Sequence, residues 1–435
     1  MSTLNFEEFD KSSIEQWQQL LTKELGDRAQ NSLTWQVSED VVMEPYAFSS
    51  AESYAIEGLP TWEMMQGIQG SSPAAMNKLA LEALMGGCNA VCFSSAPTSA
   101  AELELMLKDV YVQYISLHID GVTNLKGSAQ WLKQLCDSRE LHSKELRGAF
   151  YTDFNSLTDD DFADSVHFLK DHFVLFRGFA VDAVAIHEAG ANPIQEIAFA
   201  LTEGHAFLVR AMDAGLTVDE AAAMIQFNFA TGSSYFAEIA KYRAFRWAWK
   251  SIIEQYTPEF GCSIHTHIAA STSRYYQTAK DAHNNLLRAT TQAMSALIGG
   301  VNSVKVEPYN ANTTLDDAAA LRWSRNIQQL LTEESYFESY RSAANGSHYI
   351  EQFTGKVLRA GWSLFQQWDA IRGGAGKAAF DKQWTKDVAE HQFAAQQALA
   401  SGKRVIVGVN KYVNKSDSSV VAHTAKTFTA SHEQA

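Results

Sequence analysis

FAVDAVAIHEAGAN, residues 179–192, is the stretch that best indicates how this chain folds. Its apolar, β-rich first half predicts a buried strand over Phe179–Ile186, which runs into a turn at residues 188–191. Asn192 at the N-cap and Pro193 at the first helical position then begin an amphipathic helix, because they satisfy or remove free backbone N–H groups. A strand joined to a helix in this way is the repeating unit of a parallel sheet.

The same alternation of short β-rich runs and longer helical runs covers most of the chain. Eight runs are predicted to be strands: Trp62–Ile68, Asn89–Ser94, Ile115–Ile119, Gly148–Phe154, Phe179–Ile186, Ile225–Phe229, Ser263–Ile268 and Ser303–Pro308. The helices between them include Pro73–Met85, Ala129–Leu135, Tyr235–Tyr256 and Asp281–Ile298. Eight strand–helix units predict an α/β fold of the (β/α)8 TIM-barrel type, with strands buried on both faces.

Four parts are expected along the chain. Residues 1–45 form an N-terminal arm with a helix over Ser12–Leu25, residues 46–310 the barrel, residues 311–413 a helical extension and residues 414–435 a flexible tail. The extension is predicted to contain three helices: Leu315–Ser335, His348–Ile371 and Ala375–Ala400. Gly373 and Gly374 are expected to separate the last two.

Composition excludes several classes of partner. The 435-residue chain carries 35 Lys and Arg against 50 Asp and Glu, so neither nucleic acid nor an anionic membrane is an expected partner. We expect no signal peptide and no membrane-spanning segment, since no run approaches about 18 apolar residues. The cysteines are too few for a disulfide framework and are expected to be small buried residues: Cys88, Cys92, Cys136 and Cys262. Together these features predict a cytoplasmic protein.

Residues 179–192 resemble the methylmalonyl-CoA mutase family, whose catalytic barrel carries a Tyr-His-x-x-Glu-Ala-Gly-Ala pattern at the end of strand five. Other segments resemble the family in the same order: Phe236–Arg246, Asp281 with Asn284–Arg288, Ser324–Gln328, Gly346–Glu351 and Ile406–Tyr412. The scaffold residues that carry the resemblance are Glu188, Ala189, Gly190, Ala191, Arg243, Asn284, Asn285, Asn326, Asn410, Lys411 and Tyr412. Each segment is a weak signal alone, but their shared order is a strong one.

The departures from the family pattern concern its chemistry. Counting back from Glu188, the family's catalytic Tyr and His fall on Val184 and Ala185, which cannot hydrogen-bond a thioester carbonyl, so the resemblance implies no catalytic residue here. Strand alternation would place His187 on the same face as Ala185, as a possible substitute. The family's Arg-Gly-Pro-Tyr segment is replaced by residues 52–60, and of its carboxylate-binding segment on strand four Asp153 alone remains.

The resemblance implies radical chemistry on adenosylcobalamin, which the family binds through a C-terminal α/β domain with an Asp-x-His-x-x-Gly loop. The sequence ends too soon after Tyr412 for that domain, so we expect this chain to bind neither cobalamin nor a metal ion. Asp281 and His283 match the start of the loop, but Leu286 stands where the loop requires Gly. Asp281 is instead expected to be a helix N-cap.

Three groups of polar residues have both a structural and a functional interpretation. A possible metal site combines two histidines of strand seven with one of strand three, although chance placement is favoured: His265, His267 and His118. Three carboxylates lie near strand ends, where barrel enzymes place catalytic groups, although roles as caps or loop anchors are favoured: Asp120, Asp153 and Glu188. The basic residues of the helix after strand six are expected to form a solvated or interface face: Arg243, Arg246 and Lys250.

The resemblance therefore implies the small, non-catalytic subunit of a heterodimeric mutase. Its partner would be a large cobalamin-binding subunit that interconverts succinyl-CoA and (R)-methylmalonyl-CoA. One alternative is a catalytic acyl-CoA mutase barrel that borrows cobalamin from a separate chain. Another is a barrel enzyme of unrelated chemistry that uses Asp153, Glu188 and His187. The helix over residues 12–25 and the arm before residue 60 are the candidate subunit interface.

Overall fold

The computed structural model describes residues 13–26, 33–38, 41–47, 49, 52–313, 319–414 and 428. Within them, nine hydrogen-bonded segments form a parallel sheet that closes into a barrel. Two segments are halves of one strand, so the barrel has eight strands: β1 Glu63–Ile68, β2 Ala90–Phe93, β3 Ser116–Ile119, β4 Arg147–Phe150, β5 Phe176–Arg177 and Phe179–Asp182, β6 Ile225–Thr231, β7 His267–Thr272 and β8 Ser303–Lys305. The predicted TIM-barrel fold is confirmed.

The two halves of β5 close the barrel. The first half pairs with β4 and the second half pairs with β6, while β8 pairs with β1. Gly178 lies between the halves, and a Cβ at this position would collide with the side chain of Leu169. A larger residue at Gly178 would therefore require the Leu169 side chain to move.

Helices surround the barrel and continue after it. In chain order they are α1 Ile14–Leu25, α2 Pro73–Met85, α3 Ala100–Met106, α4 Leu125–Ser138, α5 Asp159–His172, α6 Ala183–Glu188, α7 Pro193–Asp213, α8 Val218–Ala223, α9 Tyr235–Gln255, α10 Asn284–Ile298, α11 Ala320–Gln329, α12 Phe337–Tyr340, α13 His348–Ala375 and α14 Lys377–Ala400. A two-strand hairpin, Trp35–Gln36 and Val42–Met43, lies between α1 and the barrel. Of the residues described, no helix is long and apolar enough to cross a membrane.

The predicted helix start at Asn192 is confirmed in detail. The Asn192 side chain accepts hydrogen bonds from the backbone N–H groups of Ile194 and Gln195, and the Gln195 side chain accepts from the N–H of Asn192. This reciprocal capping box satisfies three backbone donors at the start of α7. Helix α7 thus begins at the mouth of the barrel, and α13 packs against both α7 and α9.

Aromatic packing fixes α9 against the barrel wall. Phe227 on β6 lies 4.7 Å from the rings of both Phe245 and Trp249, measured between ring centroids. Gly204 of α7 allows this approach, because a Cβ there would lie 2.6 Å from Trp249. Edge-on aromatic pairs of this kind add to the free energy gained from apolar burial.

Four predicted strands have wrong boundaries: β4 ends at Phe150 rather than Phe154, β8 ends at Lys305 rather than Pro308, and β5 and β7 also differ. Strand β5 ends at Asp182 rather than Ile186, because the Asp182 side chain accepts the Val184 N–H at 3.0 Å and caps helix α6. Strand β7 begins at His267 rather than Ser263, and a short 3-10 helix over Gly261–Ile264 precedes it. At the end of β5 and before the start of β7, local hydrogen bonds outweigh the tendency of the sequence to form a strand.

Two predicted helix boundaries are also wrong. Helix α10 begins at Asn284 rather than Asp281, which has a positive φ of 50° and lies in the turn before it. Gly373 and Gly374 lie inside α13, and the break comes at Gly376, whose φ is 83°. The break requires a left-handed residue, and composition alone does not show which of three glycines adopts it.

The prediction of buried cysteines is partly confirmed, whereas the predicted flexible tail stays a prediction. Cys88, Cys92 and Cys136 are buried as expected, but Cys262 is exposed. The expected flexible tail lies almost entirely outside the described residues. Phe428 is described and is fully buried, and the Arg404 guanidinium lies 4.5 Å from its ring centroid.

Candidate functional site

A cavity of roughly 280 Å³ opens at the carboxyl-terminal mouth of the barrel. Residues on or directly after all eight strands line it, among them Met65 of β1 and Ala269 of β7. Its polar lining includes Asp120, Tyr151, Thr152, Asp153, Asp182 and Lys305. This is the end of the barrel at which TIM-barrel enzymes place their active sites.

The carboxylates of the mouth are engaged with backbone groups. Asp120 accepts the N–H of Gly121 at 2.7 Å, and Asp153 accepts the N–H of Asn155 at 2.9 Å. These contacts agree with the favoured interpretation of Asp120 and Asp153 as loop anchors. Burial raises the pKa of Asp182 to about 6. Lys305, the cation of this lining, forms an ion pair with Glu307 at 2.9 Å.

A buried polar layer fills the barrel below this cavity. Ser116 donates a hydrogen bond to Glu63, and His118 Nε2 lies 3.4 Å from Glu63 Oε2. Tyr151 Oη lies 3.2 Å from His118 Nδ1, so a proton on His118 Nε2 lets both contacts be hydrogen bonds. His267 Nε2 lies 3.7 Å from the same Glu63 oxygen. The lumen is therefore occupied by side chains that contact one another.

The electrostatics of this layer keep Glu63 ionised. Burial alone would raise the pKa of Glu63, but the hydrogen bonds from His118 and Ser116 hold it well below its usual range. Burial, with the charge of Arg177, lowers the pKa of His267 well below its usual value. Burial also raises the pKa of Tyr151 well above its usual value. At neutral pH the layer thus holds a carboxylate, a neutral phenol and a neutral His267.

Sequence reasoning missed Glu63 and Arg177. Both belong to odd-numbered strands, as do Ser116, His118 and His267. Side chains from alternate strands form one layer in a TIM barrel, so a comparison of the polar residues at the starts of odd strands would have found this group. These residues are far apart in the sequence, so no single segment of the sequence contains the pattern.

The possible metal site is not assembled as predicted. His265 precedes β7, so it does not share a strand face with His267. The rings of His118 and His267 lie 6.4 Å apart, with Glu63 in contact with both. In the part of the chain that the structure describes, no group of three or more His, Cys, Asp and Glu side chains is arranged to hold a metal ion.

Val184 and Ala185, where the resemblance places the family's Tyr and His, lie on helix α6. Val184 lines the mouth cavity, and Ala185 is exposed. The expectation that His187 shares a face with Ala185 is wrong, because residues two apart do not face the same side of a helix. His187 is buried, with Nδ1 2.8 Å from Glu196 and Nε2 2.8 Å from Ser273.

His187 belongs to a second buried charged cluster that sequence reasoning missed. Lys241 is fully buried, and its Nζ lies 2.8 Å from Glu196 and 2.5 Å from Glu238. Burial would lower the pKa of Lys241, but the charges of Glu196 and Glu238 raise it above its usual value. The cluster joins α6, α7 and α9, and thus fixes the helices that follow β5 and β6.

The scaffold arginine of α9 is also buried. Arg243 forms an ion pair with Glu351 of α13 at 2.6 Å and donates to Asn345 at 2.7 Å. Arg246 donates to the carbonyls of Gly300 and Thr266. The predicted solvated or interface face is therefore wrong for both arginines, whereas Lys250 is partly exposed. Their partners lie far away in the chain, which local periodicity does not reveal.

The other scaffold residues mostly fix loops. Asn285 accepts the N–H of Thr278 and donates to the carbonyls of Thr278 and Tyr309. Asn410 accepts the N–H of Ile406. The remaining scaffold positions vary in exposure: Glu188, Ala189, Asn284 and Asn326 are half-buried, Gly190 and Ala191 are buried, and Lys411 and Tyr412 are exposed. Asp281 accepts from the Asn284 side chain at 2.5 Å, so it does not cap α10 as predicted.

Comparison with known proteins agrees with this scaffold. The family described as methylmalonyl-CoA mutase matches residues 146–435, more than half of the chain. The chain belongs to the methylmalonyl-CoA mutase family. It is 30% identical over 445 residues to the methylmalonyl-CoA mutase small subunit of Porphyromonas gingivalis, a match that covers 94% of this chain and 71% of that protein.

Two further relatives match less of the chain. The methylmalonyl-CoA mutase small subunit of Streptomyces virginiae is 29% identical over 323 residues, or 72% of this chain and 52% of that protein. The methylmalonyl-CoA mutase of Cereibacter sphaeroides is 31% identical over 250 residues, or 58% of this chain and 35% of that protein. The chain thus spans about a third to seven tenths of the length of these three relatives. The two relatives named small subunit match a larger share of this chain than the third relative does.

Proposed function

We propose that this chain is the small subunit of a heterodimeric methylmalonyl-CoA mutase. In this proposal a large subunit binds adenosylcobalamin and interconverts succinyl-CoA and (R)-methylmalonyl-CoA, while this chain contributes a folded barrel to the complex. The carrying observation is that apolar Val184 and Ala185 stand where the resemblance places the family's Tyr and His. Val184 lines the cavity but offers no group that could hydrogen-bond a thioester carbonyl.

The polar layer of the barrel supports this proposal. A thioester chain that entered the lumen would have to displace the contacts of Glu63 with Ser116, His118 and His267. Separating a buried carboxylate from its partners costs about 3–5 kcal/mol. The lumen thus favours a barrel that keeps its own side chains inside rather than one that admits an acyl-CoA.

The residues that resemble a cobalamin-binding loop do not fit that role. His283 stacks on Tyr309 with ring centroids 4.9 Å apart, and Asp281 is bonded to Asn284. Leu286 stands where the loop requires Gly, and Asn284 already begins helix α10. We therefore propose that the large subunit, and not this chain, binds adenosylcobalamin.

Helix α1 is our candidate for the contact with the large subunit, together with the arm before residue 60. The helix is well capped by Ser13, yet none of its residues is buried. Ile14, Leu20 and Leu25 are 40–52% exposed, so their apolar surface is open for a partner. The proposal includes a cytoplasmic location, which the four free cysteines support.

Co-expression with the large subunit tests the proposal. Size-exclusion chromatography should give a one-to-one complex, and cobalamin absorbance should follow the large subunit. The purified small chain, supplied with adenosylcobalamin, should neither retain the cofactor nor convert succinyl-CoA. Conversion by this chain alone would contradict the proposal. Activity restored by a separate cobalamin-domain protein would favour the borrowed-cofactor alternative.

A barrel enzyme of unrelated chemistry has less support. Asp153 lines the mouth cavity, but His187 and Glu188 are not part of its lining. His187 is already held by Glu196 and Ser273. The three residues of that alternative are therefore not brought together around the mouth cavity.

A further inference from the structure

Three carboxylates of the mouth cavity are not neutralised by a cation. Asp120 follows β3, Asp153 follows β4 and Asp182 ends β5, so three consecutive strands each bring one carboxylate to the cavity. All three residues are exposed, and each accepts only a hydrogen bond from backbone or amide N–H groups. Within the described part of the chain, none of them forms an ion pair. Their charges are therefore accessible to a ligand in the cavity.

Lys305 does not balance these charges. It is the cation of the cavity lining, and its Nζ lies 2.9 Å from Glu307 Oε1. The charge of Glu307 raises the pKa of Lys305 above its usual value, so the two side chains form a neutral pair. At neutral pH the aspartates thus give the cavity a net negative charge.

Two of the aspartates also act on each other. Burial raises the pKa of Asp182 to about 6, and the charge of Asp120 also raises it. At pH 7.5 both carboxylates are ionised, and their repulsion and the poor solvation of Asp182 disfavour the folded chain. A cation bound between them would offset this cost.

Thr152 offers a buried hydroxyl group to the same cavity. The residue is 1% exposed and lines the cavity next to Asp153. Its Oγ1 has no hydrogen-bond partner among the residues that the structure describes. A buried oxygen of this kind is normally bonded to a protein group, a water molecule or a ligand. A hydroxyl oxygen can accept a hydrogen bond from an ammonium group.

The size and the apolar part of the wall limit the kind of cation. Met65, Val184, Phe229 and Ala269 line the cavity together with the carboxylates. Its volume of roughly 280 Å³ lies just below the range of about 300–1,000 Å³ that is usual for drug-sized ligands. These features suit a small molecule with a short hydrocarbon chain, whereas a metal ion would leave the apolar wall without a contact.

We propose that the mouth cavity binds a small aliphatic amine in its charged, ammonium form. The ammonium group donates hydrogen bonds to the aspartates and to the Thr152 hydroxyl, and the hydrocarbon chain packs against the apolar wall. The same carboxylates repel the anionic groups of an acyl-CoA. The site goes beyond the proposed role of the chain as a subunit and does not depend on it.

Isothermal titration calorimetry of the full chain at pH 7.5 tests the site. The probe is putrescine, which carries an ammonium group at each end of a hydrocarbon chain. The references are 1,4-butanediol, which has hydroxyl groups at the same positions, and magnesium chloride, which supplies a divalent cation without a hydrocarbon chain. Putrescine should bind at least about 10-fold more tightly than either reference, because it alone combines charge with an apolar chain.

Two variants locate the binding. Asp120→Asn keeps the acceptor for the Gly121 N–H but removes the charge, so the affinity for putrescine should fall about 3–10-fold. Thr152→Val removes an oxygen that bonds nothing in the described chain. The fold should keep its stability, while the affinity falls about 2–10-fold through loss of one hydrogen bond.

Asp164→Asn is the matched control. It removes one negative charge from helix α5, where Asp164 pairs with Lys126 at 2.5 Å and does not line the cavity. The affinity for putrescine should stay unchanged.

Three results would overturn the proposal. The first is that putrescine binds no more tightly than 1,4-butanediol or magnesium. The second is that Asp120→Asn and Thr152→Val bind putrescine as well as the unaltered chain does, which would place the binding elsewhere. The third is that Asp164→Asn loses as much affinity as Asp120→Asn, which would mean that the acidic chain attracts cations without a defined site.

Discussion

The two ends of the barrel differ in what their charged groups do. At the carboxyl-terminal mouth, Asp120, Asp153 and Asp182 cap loops and helices, and an ionised Glu63 lies in the layer beneath. Nearer the amino-terminal end, Arg246 donates to the carbonyls of Gly300 and Thr266, and no carboxylate of the described residues lies within ion-pair distance of it. The carboxylates of the mouth are thus bonded to nearby backbone N–H groups, whereas this guanidinium is held by backbone carbonyls.

The difference shows that a barrel can combine an apolar pair at its mouth with a polar interior. Val184 and Ala185 stand where the resemblance places the family's Tyr and His, yet the interior of the barrel is held by contacts between charged and polar groups. The base and its flanking helices are held by a long-range ion pair, Arg243 with Glu351. The residues that stabilise the fold are therefore different from the two residues at the aligned catalytic positions, so each set can be mutated separately.

The largest effect is expected at the buried pair between α9 and α13. Arg243→Ala leaves Glu351 buried without its counter-charge and should lower the free energy of unfolding by about 3–5 kcal/mol. Urea denaturation measures the change. Arg359→Ala is the matched control, because Arg359 pairs with Glu52 at 3.1 Å but both side chains are at least 60% exposed. The control should cost under about 1 kcal/mol, and equal losses would contradict a buried anchor.

A smaller effect is expected in the polar layer. Glu63→Gln removes a buried carboxylate that accepts from Ser116 and His118, and should cost about 2 kcal/mol at pH 7. The folded-state pKa of Glu63 is depressed, so its stabilisation is present above the unfolded value of about 4.3 and is lost as the pH falls below it. Urea titrations should show a smaller difference in the free energy of unfolding between Glu63→Gln and the unaltered chain at pH 3 than at pH 7. A difference that does not change with pH would refute an ionised Glu63.

A gain in stability is expected at the mouth. Burial raises the pKa of Asp182 from 3.8 to about 6, so ionisation disfavours the folded state and stability falls as the pH rises from about 4 to 6. Asp182→Asn keeps the acceptor for Val184 and should be more stable at pH 7.5. The full shift corresponds to about 3 kcal/mol, which solvent screening in the open cavity reduces to about 1 kcal/mol. Thermal unfolding should show that Asp182→Asn and the unaltered chain are equally stable at pH 4. If the variant is less stable than the unaltered chain at both pH 4 and pH 7.5, this explanation is wrong.

No gain in activity is expected from restoring the missing pair. The double variant Val184→Tyr with Ala185→His places both side chains on helix α6 rather than at a strand end. With adenosylcobalamin and succinyl-CoA, the isolated variant should show no conversion above that of the unaltered chain. Turnover above this background would mean that the mouth retains a usable active site.

The strands and the helix starts were predictable because their signals are local. Eight apolar runs located the eight strands, and Ser72 with Pro73 began a helix whose bounds, Pro73–Met85, were predicted correctly. The cap at Asn192 was also predictable, since its acceptors and donors lie within three residues. Local hydrogen bonding of this kind depends on a few consecutive residues.

The polar layer and the ion pairs were not predictable because their partners are distant. Arg243 and Glu351 are 108 residues apart, and Glu63 and His118 are 55 apart. Helix α6 was missed for a different reason: Asp182 caps it within a run whose apolar residues also suit a strand. The fold class therefore followed from the sequence, whereas the interior of the candidate site required the three-dimensional arrangement.

The break at Gly178 has a consequence for how the barrel opens. Only two residue pairs, Gly148 with Phe176 and Ala149 with Arg177, join β4 to β5, against four pairs between β2 and β3. Amide hydrogen exchange should therefore be fastest along this seam, because it has the fewest ladder bonds to hold it. Of the strand pairs in the described barrel, we therefore expect β4 and β5 to separate first.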